Sequence, residues 1–499
     1  MQNEVDVIIV GAGISGIGAA FHLQDKLPHK TYTILEGRDD LGGTWDLFKY
    51  PGIRSDSDLF TFGYDFKPWE SNQGIADGAS IKAYINETAQ QYGIKPNIRF
   101  RHRVISTNWN SGKGQWDVVV RKEDTGEEVE LHSSWLFCGA GYYRYDQGFT
   151  PQFEGRERFQ GPIIHPQHWP EHLDYKGKRV LIIGSGATAV TLVPAMADDA
   201  AHITMLQRTP TYIMPLPAVE KMAKYLKPFI GKRLAFKATR KKNILKQRWF
   251  FKFCQNFPNA ARRLIRRVNK GMLPKDYPVD THFNPPYNPW EQRLCAVPDA
   301  DLFKTLKSGK ASIVTDRIKT FTQKGVLLES GSEIEADIII TATGLNLQPF
   351  GGVKLQLDGK PVHLPDHVAF KGMMLSGIPN FAFAIGYTSS SWTLKVGLLC
   401  EHFCRLLQYM DTQGTEICMP VSDPAMETRP LLDFGAGYVQ RSLQELPRRG
   451  TDFPWLMSWD YTDDVKLLRK GPVEDPNLRF TKRSSAGAGQ AKRAEAVSV

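Results

Sequence analysis

Val5–Val10 is apolar at every position but Asp6 and predicts a strand buried on both faces. Gly11-Ala12-Gly13-Ile14-Ser15-Gly16 follows at once, and a helix-compatible stretch then runs to about Leu27. A second apolar run, Thr31–Leu35, predicts the next strand. The same succession returns later in the chain. Val180–Ile183 leads into Gly184-Ser185-Gly186-Ala187-Thr188-Ala189, a helix to about Met196 and a strand Ile203–Leu206. Two more apolar runs end in small residues, Leu136–Gly141 and Ala336–Gly344, the second able to pass close under a bound dinucleotide. Strands alternating with helices in this way predict an α/β fold of doubly wound, Rossmann-like units.

Each glycine turn has a physical reading. The first glycine permits the tight turn, the second lets backbone approach a pyrophosphate, and the third lets the helix pack on the strand. Amides at the helix start then face the anion. Gly11, Gly13, Ser15 and Gly16 thus make one candidate cradle, and Gly184, Ser185, Gly186, Ala187, Thr188 and Ala189 a second. Glu36, 25 residues beyond Gly11, would accept from ribose hydroxyls and repel a 2′-phosphate, which suits FAD. The corresponding strand of the second unit ends in Gln207-Arg208; an arginine there suits a 2′-phosphate, hence NADPH over NADH.

At 499 residues the chain needs more than one domain, and 41% hydrophobic with 23% charged residues is an ordinary globular balance. The net charge of +10 is unevenly spread. Lys221–Lys270 holds 17 Lys/Arg and no acid, leaving 46 Lys/Arg against 53 Asp/Glu elsewhere, so no general affinity for nucleic acid is expected. Within that segment Leu234, Ala238, Leu245, Trp249 and Phe253 recur near helical spacing. The expectation is an amphipathic helix packed on the body with a solvated basic face; the alternative is a helix lying on an anionic membrane surface. The acidic N-terminus lacks the basic region of a secretory signal, and the uncharged runs Val180–Ala197 and Gly372–Leu394 are interrupted by glycine and proline. A cytoplasmic protein is expected, with peripheral contact to the inner face of the cell membrane through 221–270 as the alternative. Six scattered cysteines without a CxxC predict neither disulfides nor a metal site, and argue against a disulfide reductase.

Between the cradles stands Phe159-Gln160-Gly161-Pro162-Ile163-Ile164-His165-Pro166-Gln167-His168-Trp169-Pro170. It matches FxGxxxHxxxW(P/D) and resembles the signature of the Baeyer–Villiger type of class B flavoprotein monooxygenase; the Trp169-Pro170 ending separates it from the N-oxygenating relatives. Gly42–Trp45, Tyr50–Asp56, Tyr287–Leu294 and Ala342–Leu347 extend the resemblance over nearly the whole chain, close to the ethionamide-activating mycobacterial branch.

The resemblance implies an enzyme that uses FAD, NADPH and dioxygen. A C4a-peroxyflavin would convert small apolar ketones to esters or lactones and oxygenate sulfides or thioamides. A heteroatom (S- or N-) flavin monooxygenase without ester-forming activity is the alternative. The resemblance maps a permanently charged catalytic arginine onto Arg293 and the carboxylate that orients it onto Asp56. FAD contacts map onto Gly43, Thr44, Trp45, Asp56 and, through its backbone, Val104; an NADP contact maps onto Arg54. His165 reads as holding a hinge rather than moving protons. The expected arrangement is an NADPH domain (146–339) inserted in an FAD domain (1–145 and 340–482). A helical excursion near 216–289 would help wall the substrate pocket, and 483–499 would form a flexible tail.

Overall fold

The computed structural model describes residues 3–292, 294–432 and 435–483. Arg293, and the expected tail apart from Arg483, lie outside the described residues.

Because Val7–Val10 are covered on both sides, the strand Glu4–Val10 sits inside a parallel array, between Tyr32–Leu35 and Glu128–Cys138. Past Glu128–Cys138 the sheet turns antiparallel through Gln115–Lys122 and His102–Asn110. There Trp116, Val118 and Val120 are buried and alternate with partly exposed neighbours. The helices Ile14–Lys26 and Trp392–Gln413 share a core of Ile17, Leu23, Leu399 and Phe403 on one face.

A second, all-parallel sheet has the order Ala311–Thr315, His202–Gln207, Arg179–Ile183, Ile338–Thr341, Ile163–Ile164. The fold is therefore two doubly wound units, the second inserted in the first. The chain's way in and its way out lie side by side. Tyr143 bridges to Leu347, the Arg144 amide donates to the Asn346 carbonyl at 2.9 Å, and the Phe149 amide donates to the Gly344 carbonyl at 3.1 Å.

Tyr212–Leu216 pairs in parallel with Leu294–Pro298, and the helical excursion is bracketed between them. It consists of Lys221–Asn256, kinked at Gly231, then Pro258–Met272 and the short Val279–His282. The expected packing of the first helix is reversed. Ala235, Phe236, Thr239, Asn243 and Cys254 are buried, whereas Leu234, Leu245 and Trp249 are exposed. The reason is a body-facing side fastened by polar links as well as by apolar area. Arg240 Nη1 donates to the carbonyls of Phe60, Thr61 and Gly63 (2.9, 3.1 and 2.7 Å), and the side-chain amides of Asn243 and Gln247 donate to Asp58 (2.8 and 2.6 Å). Among the described residues no helix is long and apolar enough to cross a membrane.

Candidate active site

Both glycine turns open into one cleft of about 1690 Å³. Gly11, Gly13, Ser15, Glu36, Gly43, Thr44, Trp45, Arg54, Asp56 and Val104 line it from the first unit. Gly184, Ser185, Gly186, Ala187, Thr188 and Arg208 line it from the second. Gly16 and Ala189 lie behind these walls, in the helix-strand packing. A Cβ on Gly16 would stand 1.9 Å from the Gly11 carbonyl oxygen, so only glycine lets the helix close on the turn. At Gly184 the requirement is conformational as well: φ is +134° and a Cβ would meet the Ala342 carbonyl oxygen at 2.3 Å.

Glu36 is buried at the end of its strand. Its Oε2 accepts from the Ala12 amide at 2.8 Å and its Oε1 from the Arg38 amide at 3.0 Å. Burial pushes its pKa above the usual carboxylate value, against those two N–H groups. Two bonds leave a carboxylate further lone pairs with which to accept from a ribose. Beside it Arg38 grips Asp46 through Nε (3.0 Å) and Nη2 (2.7 Å), and Lys82 reaches the same carboxylate at 2.7 Å. Although burial pulls the other way, these cations hold Asp46 below its ordinary range. This cluster braces the Gly42–Trp45 turn. It was not foreseen; its only trace in the sequence is Arg38 standing two residues after Glu36.

In the second cradle the Ser185 hydroxyl is tied to the Thr209 carbonyl (3.1 Å) and the Thr211 hydroxyl (2.8 Å). Gln207 does not face the cleft: its amide donates to the His282 carbonyl (2.9 Å) and the Thr315 hydroxyl (2.8 Å). Arg208 is exposed in the cleft, and among the described residues no carboxylate lies within 4.0 Å of it. Arg54 pairs through Nη1 with Asp301, and its Nη2 is buried without a partner among the described residues. Gly186 has open space where a Cβ would be. A free cation, an orphaned guanidinium N–H and an open glycine face are what an anionic dinucleotide needs. Residues of the first cradle are fixed from across the fold, with Trp392 Nε1 donating to Ser15 Oγ at 2.9 Å.

The long motif between the cradles has a structural account. Phe159 fills a core, a Cβ on Gly161 would sit 2.4 Å from the Asp337 carbonyl oxygen, and the Gln167 side-chain amide donates through Nε2 to the carbonyls of Arg144 and Tyr145 at 2.8 Å each. His165 Nε2 donates to the Gly344 carbonyl at 3.1 Å while its Nδ1 accepts from the Gln167 amide at 3.2 Å. Burial lowers its pKa and keeps the ring neutral, with the Gly344 contact opposing.

The profile of the "Flavin-binding monooxygenase-like" family matches residues 4–352. The chain belongs to that family. This flavin-binding monooxygenase is 51% identical over 487 residues to the FAD-containing monooxygenase EthA of Mycobacterium tuberculosis, covering 97% of this chain and 99% of that protein. It is 45% identical to the probable FAD-binding monooxygenase AlmA of Acinetobacter baylyi, covering 97% of each. Among solved structures it resembles an oxidised steroid monooxygenase bound to NADP (TM-score 0.73, 20% identity, 96% of this chain and 100% of that one). It also resembles OTEMO in complex with FAD and NADP (TM-score 0.73, 19% identity, 96% and 99%). The family and the fold expected from the sequence are those found.

One expectation for the flavin monooxygenase is narrowed: of the described residues in 216–289, Tyr287 alone lines the cleft. Among the described residues, those of the two long excursion helices do not line the cleft. The buried face of Lys221–Asn256 packs instead on Asp58–Gly63, just beyond the Arg54–Asp56 wall, while Pro258–Met272 packs on Tyr212–Leu216 and Val279–His282; Tyr287, at the excursion's end, and Gln292 after it supply that side of the cleft.

Proposed function

We propose that the protein is an NADPH- and dioxygen-dependent, FAD-containing Baeyer–Villiger monooxygenase that turns small apolar ketones into esters or lactones and also oxygenates sulfides or thioamides. The observation that carries this reading is the single cleft shared by two dinucleotide cradles, one flanked by Glu36 and the other by Arg208. The names of its relatives support FAD, and the steroid monooxygenase and OTEMO structures support NADP beside it.

Bound and reduced, the flavin supplies the electrons that activate dioxygen, one atom of which enters the substrate while the other leaves as water. The chain's own residues do the rest. Glu36 orients the ribose of FAD through its remaining lone pairs. Gly13 and Gly186 let backbone come close to the pyrophosphates. Arg208 and the open N–H of Arg54 hold the phosphates of NADPH. Trp45, Tyr142 and Trp392 line the cleft and exclude water from it. Arg293 is assigned as the fixed cation that steadies negative charge developing on oxygen, with Asp56 orienting it. A guanidinium stays charged at any working pH, and preorganised donors of this kind lower barriers by a few kcal/mol. All six cysteines are buried and none forms a disulfide, which fits a reducing cytoplasm.

The test is product analysis. Purified holoenzyme with NADPH is given linear and aryl methyl ketones and, separately, a thioether. Ester from a ketone together with sulfoxide from the thioether supports the proposal. Sulfoxide with no ester from any ketone replaces it with the heteroatom oxygenase.

A further inference from the structure

We propose that the helical excursion is a docking surface for an anionic phospholipid bilayer, an inference independent of the reaction assigned to the cleft. Of the ten exposed large hydrophobic side chains among the described residues, nine fall between Tyr225 and Met272, the other being Phe453. Single exposed apolar residues are ordinary, but gathering nearly all of them on one excursion is not. Phe229 is 85% exposed and Trp249 66%.

The apolar residues are in phase. At 100° per residue, Leu234, Ala238, Leu245 and Trp249 fall within about 60° of the helix circumference, opposite the buried Phe236, Asn243 and Cys254. Trp249 stacks on Phe253 (centroids 5.6 Å, planes 5° apart), and Phe253 meets Phe257 at 6.1 Å, so the stripe continues to the end of the helix. Lys237, Lys241 and Lys246 flank it, exposed, and among the described residues none has a carboxylate within 4.0 Å. Across Lys221–Lys270 there are 17 Lys/Arg and no acid.

Charge and apolar surface together choose the occupant. Rings inserted at the acyl boundary with lysines among headgroup phosphates satisfy both parts of the surface. A nucleic acid would leave Trp249 and Phe229 in water. A second copy meeting this patch face to face would set cations against cations with no acid in the patch to answer them.

The experiment is co-sedimentation of the flavin-loaded full chain with phosphatidylcholine vesicles, plain or carrying about one-third phosphatidylglycerol, where electrostatic docking is screened by salt. The expected result is sedimentation with the anionic vesicles at low salt, at least tenfold weaker partition with neutral ones, and release by high salt. Leu245→Ser/Trp249→Ser and Lys237→Glu/Lys241→Glu should each lose at least tenfold in partition while keeping flavin content and NADPH oxidation. Wild-type enzyme that stays in the supernatant, or variants that sediment like wild type, overturn the proposal. So does a drop in oligomeric mass on Leu245→Ser/Trp249→Ser when neither form binds vesicles, since the face then pairs copies of this chain.

Discussion

His165 and Gly344 are joined by a 3.1 Å hydrogen bond across the two connections between the units, 179 residues apart in sequence. The imidazole therefore ties the way into the inserted unit to the way out, and it does so neutral and half-buried. His165 is not itself a cleft wall, so His165→Ala removes that tie at Gly344 while leaving the side chains of both cradles in place. Flavin reduction should persist, while coupling of NADPH oxidation to product falls about tenfold and hydrogen peroxide is released instead. A peroxide assay beside product quantification checks it; unchanged coupling would leave His165 a packing residue.

Arg293→Ala should keep reduction by NADPH at near wild-type rate and lose ester formation by roughly 100-fold or more, the usual effect of removing a preorganised donor. Rapid-mixing kinetics of the two half-reactions separate these. Normal ester formation would show that the fixed cation is elsewhere.

Arg208 is exposed in the cleft with no carboxylate within 4.0 Å among the described residues, so Arg208→Ala should raise the KM for NADPH roughly 10- to 100-fold and leave that for NADH nearly unchanged. Equal loss for both nucleotides would place the 2′-phosphate at another group.

Two glycines should part company. Gly16→Ala drives a methyl into the Gly11 carbonyl and should destabilise the first unit by about 3 kcal/mol or more, giving protein that purifies without flavin colour. Gly186→Ala meets nothing within 4 Å and should leave the melting temperature unchanged while weakening NADPH. Thermal scans with and without nucleotide distinguish the cases.

His402 is buried with Nδ1 2.8 Å from the Leu468 carbonyl, and desolvation, aided by Lys371, pushes its pKa down to about 3. A lowered imidazole pKa means that the unfolded chain takes the proton first, so this stability is full above the ordinary value of 6.5 and drains away as pH falls below it. His22, His165 and His282 are shifted in the same direction. The melting temperature should drop by roughly 5 °C or more between about pH 7 and about pH 5, and His402→Asn should flatten that slope. A slope unaltered by the substitution would assign the acid sensitivity to other groups.

Both cradles were legible because their signal is local: an apolar run, glycines at fixed offsets and a charged residue one strand later. What escaped was long-range or polar. The Arg38–Asp46–Lys82 cluster and the Trp392–Ser15 bond join residues whose pairing no periodicity announces. The phase of the basic helix is hidden for a related reason. Counting apolar positions assigns the Leu234–Trp249 stripe to the body, yet the body is met by Ala235, Thr239 and Asn243 and clasped by Arg240. Small and polar residues in contact leave no hydrophobic period to read.

The adjacent straps formed by Tyr143–Phe149 and Gly344–Leu347 carry a mechanical consequence. A leaf hung on two bands fastened edge to edge swings readily about one line and resists rotation about the others. Arg208 and Glu36 stand on opposite sides of that line, so a substitution in either band would alter the spacing of the two cradles and act on every substrate alike.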